Sequence, residues 1–415
     1  MTGILDYLFA QTFDSLLLMF WFLVVFEIPR YFLLFALTVL MPRWRPDVVP
    51  DDLPQVVSVV VVGHSESDKI ETCVRALHEQ SRVPDEIIVL SDGSTDDMAR
   101  RIADLQRSGL VTAAHATQLR SGKAAGLNLG TSLTSGDIVV IVDCDCSFDR
   151  HAIRDILHPF ADPAVGAVAG SVLVRNGDAS LLAAFQSIEY NVTISLGKQA
   201  ADRLGLVSCV SGAFGAFRQT ALDSVGGFDA GSGEDLDLTL SLRTAGWSVR
   251  FAEDAVCYTD VPTTWRVLIK QRFRWERDAI HLRYRKHASL MNPASPRFRW
   301  GELAHELEFF LFNVVAAVAL PIYFGWLWFA FGDLAPFILA GAQIGLIGLD
   351  SLVFLLAAMV TPHAARTQWP FIFGFSIYYG LFMRGLRLCA YVDEWIFRSS
   401  YRDPFVPPKV NKVRG

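Results

Sequence analysis

The sequence predicts a Rossmann-like α/β domain with a mostly parallel sheet, attached to a bundle of transmembrane α-helices. Of its 415 residues, 52% are hydrophobic and only 19% are charged, below the roughly 25% that a soluble domain carries. The hydrophobic residues are concentrated towards both ends, whereas the central part alternates short β-branched runs with helical patterns. This composition excludes intrinsic disorder, collagen and a disulfide-bonded scaffold. The net charge of -6 offers no basic surface, so nucleic acid is not an expected partner.

Four apolar stretches indicate helices that associate with lipid, at residues 16–41, 309–331, 334–360 and 369–383. A helix needs about 20 apolar residues to cross the hydrocarbon core, so the first three are predicted to span. In the first, Glu27 and Arg30 are spaced to pair with each other. The fourth is short and leaves two alternatives open, a span with buried arginines or a re-entrant or interfacial helix. The basic C-terminal tail favours the second, because a fourth span would place the tail outside.

Flanking charges predict the orientation of these helices. The N-terminal tail carries Asp6 and Asp14 and no basic residue, whereas Arg43 and Arg45 follow the first apolar stretch. The positive-inside rule then places the central domain in the cytoplasm. We divide the chain into an N-terminal membrane helix (1–45), the α/β domain (46–260), interfacial helices (261–305), transmembrane or re-entrant helices (306–391) and a tail (392–415).

The central domain is predicted to contain strands at 55–63, 86–90, 110–115 and 138–142 and helices at 69–78, 97–107 and 122–133. Continuously apolar strands that alternate with helices are typical of a parallel sheet buried on both faces. Right-handed crossovers gather the loops that follow the strands at one edge, where α/β proteins bind ligands. Three of these loops are polar, with residues 64–66, 91–92 and 143–145.

Asp143 and Asp145 follow a buried strand and alternate with Cys144 and Cys146. Alternation places the two carboxylates on one face and the two thiols on the other. A pair of carboxylates is a hard oxygen site that suits Mg²⁺ or Mn²⁺ together with a diphosphate. An exposed acidic turn is the alternative, and it is equally compatible with the spacing alone.

Three further segments suggest chemistry, each beside a plainer structural role. Residues 120–123 (RSGK) open a helix whose N-terminus and basic side chains would attract phosphate, although the sequence is not a Walker A loop. Residues 231–235 (GSGED) precede an apolar helix and supply either an N-cap or a general base. Residues 271–275 (QRFRW) form an amphipathic interfacial stretch whose Trp face is also a suitable carbohydrate platform.

Together these motifs resemble those of inverting glycosyltransferases of family 2, and more narrowly the membrane-bound processive synthases of cellulose, chitin, hyaluronan and poly-N-acetylglucosamine. The matching segments occur in the family's order: 59–66, 85–96 (DEIIVLSDGSTD), 121–130 (SGKAAGLNLG), 143–145 (DxD), 233–235 (GED) and 271–275 (QxxRW). The resemblance covers about residues 55–285. Ser91 and Ser65 stand where the family commonly has Asp and Asn.

The resemblance implies a GT-A fold, a cytoplasmic catalytic domain at a bacterial inner or plasma membrane, and a divalent cation, Mg²⁺ or Mn²⁺. It implies transfer from a UDP-sugar, UDP-GlcNAc or UDP-Glc, to a growing β-linked glycan. The implied site residues are Glu66, Asp92, Lys123, Asp143 and Asp145 for the nucleotide-sugar, Asp143 and Asp145 for the metal, Asp235 as general base, and Gly212, Phe214, Glu234, Gln271, Arg274 and Trp275 for the acceptor or product.

Two other functions remain open at this point. One is non-processive transfer of a single sugar to a lipid or polyprenyl phosphate, and the other is a transporter with a nucleotide-binding regulatory module. For a synthase, Asp350, Arg384 and Arg387 are candidates to line or brace a passage for the product, with a purely structural salt bridge as the alternative. Three or four helices make a narrow bundle, so a second copy or an accessory subunit is a candidate to complete it.

Overall fold

A computed structural model of the chain describes residues 10–46, 56–361, 366–403 and 406–407. Its eight strands are β1 Val57–Gly63, β2 Glu86–Asp92, β3 Ala113–Thr117, β4 Ile138–Asp143, β5 Ser147–Phe148, β6 Val165–Val174, β7 Phe214–Arg218 and β8 Ser248–Thr259. They form one mixed sheet in the order β3-β2-β1-β4-β7-β6-β8-β5. The pairs β1–β2, β1–β4, β2–β3 and β6–β8 are parallel, whereas β4–β7, β6–β7 and β5–β8 are antiparallel.

The helices alternate with these strands and then continue alone. They are α1 Phe13–Met19, α2 Ile28–Leu40, α3 Ile70–His78, α4 Met98–Arg107, α5 Lys123–Ser132, α6 Ala152–Leu157, α7 Leu181–Glu189, α8 Leu196–Arg203, α9 Gln219–Val225, α10 Glu234–Ala245, α11 Trp265–His281, α12 Trp300–Phe309, α13 Ala316–Phe331, α14 Ala335–Val360, α15 Ile372–Ile377 and α16 Arg384–Phe397. Single π-helical turns at Leu23–Glu27, Tyr190–Ser195, Leu282–Lys286, Phe310–Val315 and Tyr378–Met383 extend the neighbouring helices.

The parallel half of the sheet forms where the sequence predicts it. Every residue of β1 is buried, because helices cover both faces of a parallel sheet. Val57, Val59 and Val61 pack into one core cluster, and Val60 and Val62 into the cluster on the opposite face. The carboxyl ends of β1, β2 and β4 therefore lie side by side, as the polar loops require.

The antiparallel strand β7 inserts between β4 and β6, so the sheet is mixed rather than purely parallel. Strands β6, β7 and β8 were not predicted from the sequence. Their pairing depends on segments far apart in the chain, such as Val140 opposite Ala216 in the β4–β7 ladder. This insertion turns the loop before β7, with Gly212, towards the same edge as the predicted site.

Two helical runs among the described residues have the length and apolar composition needed to cross a membrane, Leu23–Leu40 and Trp300–Val360. The second contains two of the predicted spans, separated by the short turn Gly332–Leu334. Large apolar side chains on the outer surface of these runs are exposed, among them Phe329 at 93%. Such a surface is expected to lie against lipid or another apolar partner.

The fourth apolar stretch is part of a helical run from Arg366 to Phe397. At its start, the amide of Gln368 donates to Asp178 at 2.7 Å, and just beyond its end Asp403 forms an ion pair with Arg277. Both ends therefore contact the α/β domain or α11. The last basic residues of the tail, 408–415, lie outside the described residues.

The predicted pairing of Glu27 with Arg30 is wrong. Glu27 pairs with Arg384, and Arg30 donates to the Tyr379 hydroxyl at 3.1 Å. Two helices packed side by side satisfy each charge better than one exposed helical turn could, since both Glu27 and Arg384 are buried.

The other intramembrane charges also have protein partners. Asp350 accepts from Tyr31 and Ser376, and Arg387 donates to Glu276 at 2.8 Å. These contacts are those of a brace between helices.

Candidate active site

The three predicted polar loops meet at the carboxyl edge of the parallel strands. In the loop after β2, both carboxylate oxygens of Asp92 accept backbone hydrogen bonds, from Ser121 N at 2.6 Å and Gly122 N at 2.7 Å. Gly122 has φ +95°, a conformation that favours glycine, and it directly precedes α5. Asp92 is buried and thus fixes the glycine turn from which Lys123 projects.

Lys123 lies between the carboxylates of two separate loops. Its Nζ is 2.6 Å from Asp143 Oδ1 and 3.8 Å from Glu234 Oε1. Burial alone would lower the pKa of Lys123, but the nearby Asp143 and Glu234 carboxylates hold it above its usual range. The ammonium therefore stays charged and connects the DxD loop to the start of α10.

A group of carboxylates lies next to this ion pair. Burial, followed by the negative charges of Asp143 and Asp145, raises the pKa of Glu66. Burial and then Asp143 likewise raise the pKa of Asp145, whose oxygens accept from the Thr259 hydroxyl at 3.3 Å. Carboxylates that lie close together repel each other, and this repulsion raises their pKa values. Such a cluster is typical of a site that accepts a cation.

The two cysteines of this loop face the core, although Cys146 Sγ also donates to Asp145 Oδ1 at 3.8 Å and Cys144 hydrogen-bonds with Glu66. Cys144 and Cys146 are 1% and 2% exposed and pack in the core, as strand alternation predicts. Among the described residues, no group of three or more His, Cys, Asp or Glu side chains is arranged to hold a metal by itself. Asp143 and Asp145 are carboxylate donors of the kind that a hard cation such as Mg²⁺ takes.

The acidic end of α10 faces Lys123 and the DxD loop. Gly233 has φ +77° at the helix N-cap, and the next turn presents Glu234 and Asp235. The backbone N–H of Gly212 donates to Asp235 Oδ2 at 3.3 Å. A Cβ atom at Gly212 would lie 3.0 Å from Lys123 Nζ and 3.9 Å from Asp235 Cβ. The loop before β7 therefore brings Lys123 and Asp235 to one narrow place, which a side chain at Gly212 would crowd.

Glu234 is a buried carboxyl with an unusual pKa. Burial raises its pKa to about 7, which the attraction of Lys123 opposes and the neighbouring charge of Asp235 reinforces. Glu234 is thus the group in this site whose charge changes close to neutral pH.

The QxxRW segment lies in the middle of α11. The positive charge of Arg274 favours the ionised form of both Glu234 and Asp278. This part of α11 therefore faces the start of α10. The side-chain oxygen of Gln271 is buried without a hydrogen-bond donor among the described residues. Trp275 is 37% exposed. An unused acceptor oxygen beside an exposed indole is the chemistry expected of a wall that receives a sugar.

The structure thus brings together most of the predicted site residues. Lys123, Asp143, Glu234, Asp235 and Gly212 are linked by direct contacts. The charge of Asp143 acts on both Glu66 and Asp145. In the same way, the charge of Arg274 acts on Glu234.

Phe214 requires a correction. Its side chain is 0% exposed and packs on Phe148 with ring centroids 5.3 Å apart. It also fills the space where a Cβ of Gly170 would lie. Alternation along β7 directs this side chain into the core, so Phe214 supports the sheet and does not line an acceptor pocket.

Two residues near the site, Val406 and Arg272, were not predicted from the sequence. Val406 borders a cavity of ≈ 20 Å³ together with Ser121, Gly122, Lys123, Ala124, Ala125, Ala230, Gly231 and Glu234, and no local pattern connects the tail to this place. Arg272, inside the QxxRW segment, is buried and pairs with Glu189 at 3.0 Å. The only signal for Arg272 was its position within the motif, because its partner lies 83 residues away.

Comparison with known proteins agrees with this geometry. The family described as Glycosyltransferase like family 2 matches residues 54–277. The poly-beta-1,6-N-acetyl-D-glucosamine synthase of Staphylococcus aureus (strain MSSA476) is 31% identical over 249 residues, 60% of this chain and 60% of that protein. The synthase of the same name from Staphylococcus epidermidis is 29% identical over 221 residues, 53% of each. The matched part of the chain thus spans about 60% of the length of the first of these relatives.

A solved structure shares the fold. The mannosyltransferase of Pyrobaculum calidifontis, in complex with GDP-Man and Mn²⁺, aligns over 95% of this chain and 98% of that chain. The TM-score is 0.57 at 20% sequence identity, a likeness of fold alone. The mixed sheet with its parallel half and inserted antiparallel strand is the GT-A arrangement.

Proposed function

Since the chain belongs to the glycosyltransferase family 2, we propose that it transfers sugars from a UDP-sugar, with inversion, to a growing β-linked polysaccharide. The observation that carries the proposal is the position of Lys123. It touches Asp143 of the DxD loop and lies 3.8 Å from Glu234, next to Asp235. A donor site and a base for the acceptor are thereby a few ångströms apart.

The donor is proposed to bind at the carboxyl edge of β1, β2 and β4. The turn that Asp92 holds presents the N-terminus of α5 and the Lys123 ammonium, both of which attract phosphate. Asp143 and Asp145, with Glu66 nearby, would hold Mg²⁺ or Mn²⁺, which neutralises charge on the leaving diphosphate when bound. The pKa of Asp145 is raised by burial and then by the charge of Asp143, and a bound cation would relieve the second of these effects.

Asp235 is proposed as the general base. Its carboxylate accepts from the Gly212 N–H at 3.3 Å and lies close to the Lys123 ammonium. It would take the proton of an acceptor hydroxyl while that oxygen attacks the anomeric carbon from the side opposite the diphosphate. A base placed in this way typically contributes about 10²–10⁴ in rate.

The acceptor is proposed to lie along α11. Gln271 offers an unused acceptor oxygen, Arg274 a cation close to Glu234, and Trp275 an exposed indole. Both relatives named above are poly-beta-1,6-N-acetyl-D-glucosamine synthases. UDP-GlcNAc is therefore the donor to test first, with UDP-Glc second.

We further propose that the enzyme is an integral membrane protein with its catalytic domain in the cytoplasm. The support is the pair of apolar helical runs and the basic residues that follow the first of them. An acceptor that grows at the membrane face of the domain could pass into the helix bundle, alone or completed by a second copy or an accessory subunit.

The test is to purify the full chain in detergent or nanodiscs and measure UDP release with UDP-GlcNAc, UDP-Glc and other UDP-sugars, each with Mg²⁺ or Mn²⁺. The expected result is release that depends on cation and on one donor, accompanied by a long polymer with a single linkage type. Transfer of one sugar to a lipid would replace the polymerase proposal with a non-processive one. Binding of UDP-sugars without any release would indicate a regulatory nucleotide module.

A further inference from the structure

The indole of Trp275 has two unequal faces. The guanidinium of Arg272 lies over the ring with its central carbon 4.2 Å from the centroid. Trp275 nevertheless remains 37% exposed. One face of the ring is therefore covered by a cation, while part of the residue stays open to solvent.

Arg272 itself is held from the other side. It is 2% exposed, and its Nη2 donates to Glu189 Oε2 at 3.0 Å. The same Glu189 oxygen accepts from the Tyr378 hydroxyl at 3.2 Å. Glu189 is the last residue of α7 in the α/β domain, whereas Tyr378 belongs to the apolar C-terminal helical run. The guanidinium is thus fixed where three segments of the chain meet.

The ion pair between Arg272 and Glu189 also lies close to Asp145, one of the two proposed cation ligands. The aromatic ring of Tyr190 is 5.7 Å from the Arg272 guanidinium carbon, and the charge of Asp145 acts on the Tyr190 hydroxyl. A shift of Arg272 would therefore move the indole relative to the carboxylates that face the donor.

From this arrangement we propose that Arg272 and Glu189 are positioning residues, which hold the Trp275 indole at a fixed angle and leave one face to stack on the terminal sugar of the acceptor. The inference rests on the proposed function, because it names how the acceptor wall recognises a sugar ring. A planar guanidinium can stack flat on an indole while its N–H groups pair with a carboxylate, whereas a lysine ammonium is a compact charge with no planar group to stack. The residue type at position 272 should therefore matter even when its charge is kept.

The test uses the full-length protein and short β-linked N-acetylglucosamine oligomers as acceptor probe. In Arg272→Lys, which keeps the positive charge and loses the planar stacking, the acceptor KM should rise by roughly three- to thirty-fold. The donor KM and the release of UDP without acceptor should stay unchanged, and the polymer should become shorter. Arg266→Lys, the same substitution at an exposed position of α11, is the matched control and should change none of these values.

A double variant separates positioning from folding. Glu189→Gln with Arg272→Met removes both buried charges, so the fold should tolerate it better than either single change. If the pair only supports folding, the double variant will restore a normal acceptor KM, and the inference is overturned. If the pair positions the indole, the acceptor KM will stay high. An acceptor KM that Arg272→Lys leaves unchanged would also overturn it.

Binding measured by fluorescence keeps this inference distinct from the proposed function. The chain has ten tryptophans, so the signal of interest is the change on adding oligomer that Trp275→Phe loses. If the wild type binds oligomers through Trp275, and Arg272→Lys weakens that binding, while no polymer forms, the synthase proposal fails and the positioning inference stands. If polymer forms but the oligomer signal is the same in Trp275→Phe, the inference fails and the synthase proposal stands.

Discussion

The donor side and the acceptor side of the cleft are built by different means. On the donor side, hydrogen bonds between neighbouring loops fix the geometry, as when Asp92 accepts from Ser121 and Gly122. On the acceptor side, α10 and α11 are held by buried ion pairs to distant segments, such as Arg243 of α10 with Glu302 of α12. The contacts named for the proposed donor side lie within the α/β domain, whereas those of the proposed acceptor side reach α12.

This difference assigns a task to each part of the protein. A nucleotide-sugar arrives from solution and can bind to loops that fold with the sheet. An acceptor that grows must stay aligned with the apolar helices, and the buried contacts of α10 and α11 supply that alignment. Removing a catalytic group should therefore affect one side only, whereas removing a buried pair should loosen the acceptor side and spare the donor side.

The largest effect should come from Asp235, where the two sides meet. Asp235→Asn keeps the shape of the side chain and removes the base, so turnover should fall by about 10²–10⁴. The affinity for UDP should change little, because the donor groups are untouched. Steady-state UDP release and UDP binding by calorimetry measure the two quantities separately.

Asp223→Asn is the control, since Asp223 is exposed on α9 away from the cleft and should leave turnover normal. A near-normal rate in Asp235→Asn would remove Asp235 from the role of base. The two sides would then have no shared catalytic group.

The next effect is expected at Asp143, on the donor side alone. Asp143→Asn removes a charge that faces both the proposed cation and Lys123. Loss of one preorganised electrostatic group typically costs about 10²–10³ in rate, and here the affinity for UDP in the presence of Mn²⁺ should fall as well. Binding of acceptor oligomers should persist. Equal loss of donor and acceptor binding would contradict the separation of the two sides.

The same contrast explains what could be predicted from the sequence. The strands β1, β2 and β4 were predicted because each is a short apolar run, and Asp92 and Asp143 lie at the ends of two of them. Lys123 was found because it opens the helical pattern that follows residue 122. Local patterns carry that information. The roles of these residues remain predictions, although the structure places them together.

The acceptor side could be predicted only in part. The QxxRW residues were found by resemblance, but Arg272 pairs with Glu189 across 83 residues and Arg243 with Glu302 across 59. Phe214 was misassigned because alternation on β7, a strand that the sequence did not reveal, decides which way it points. Pairing at such distances depends on how helices dock, which no local pattern specifies.

A smaller but diagnostic effect should follow from breaking one of those buried pairs. Arg243 and Glu302 have side chains only 2% and 3% exposed, so Arg243→Met leaves a buried carboxylate without its partner. Such changes cost about 3–5 kcal/mol in the free energy of unfolding. The exposed pair Arg75–Glu71 on α3 is the donor-side counterpart, and Arg75→Met should cost only about 0.3–0.5 kcal/mol. Unfolding by urea in detergent compares them.

The Arg243–Glu302 pair also tests how far the acceptor side depends on the packing of α10 against α12. Arg243→Met should raise the acceptor KM more than the donor KM, because Arg243 and Asp235 belong to the same helix. If both variants lost similar stability, buried pairing would not distinguish the two sides. If the donor KM rose as much as the acceptor KM, the sides would not be separable.

The smallest effect concerns Glu234, which faces both sides. Its pKa is raised from 4.5 to about 7, chiefly by burial, so between these values the folded protein keeps a proton that the unfolded chain has lost. The free energy of unfolding should therefore fall as the pH rises through this window and level off above it. One pH unit can change it by at most about 1.4 kcal/mol. Glu234→Gln should reduce this slope, to which Asp202 and Asp278, with pKa values raised to about 6 chiefly by burial, also contribute. Glu71→Gln, at an exposed position, should leave it unchanged. An unchanged slope in Glu234→Gln would mean that Lys123 keeps Glu234 ionised throughout this pH window. Donor binding, rather than pH, would then control the charge of Glu234.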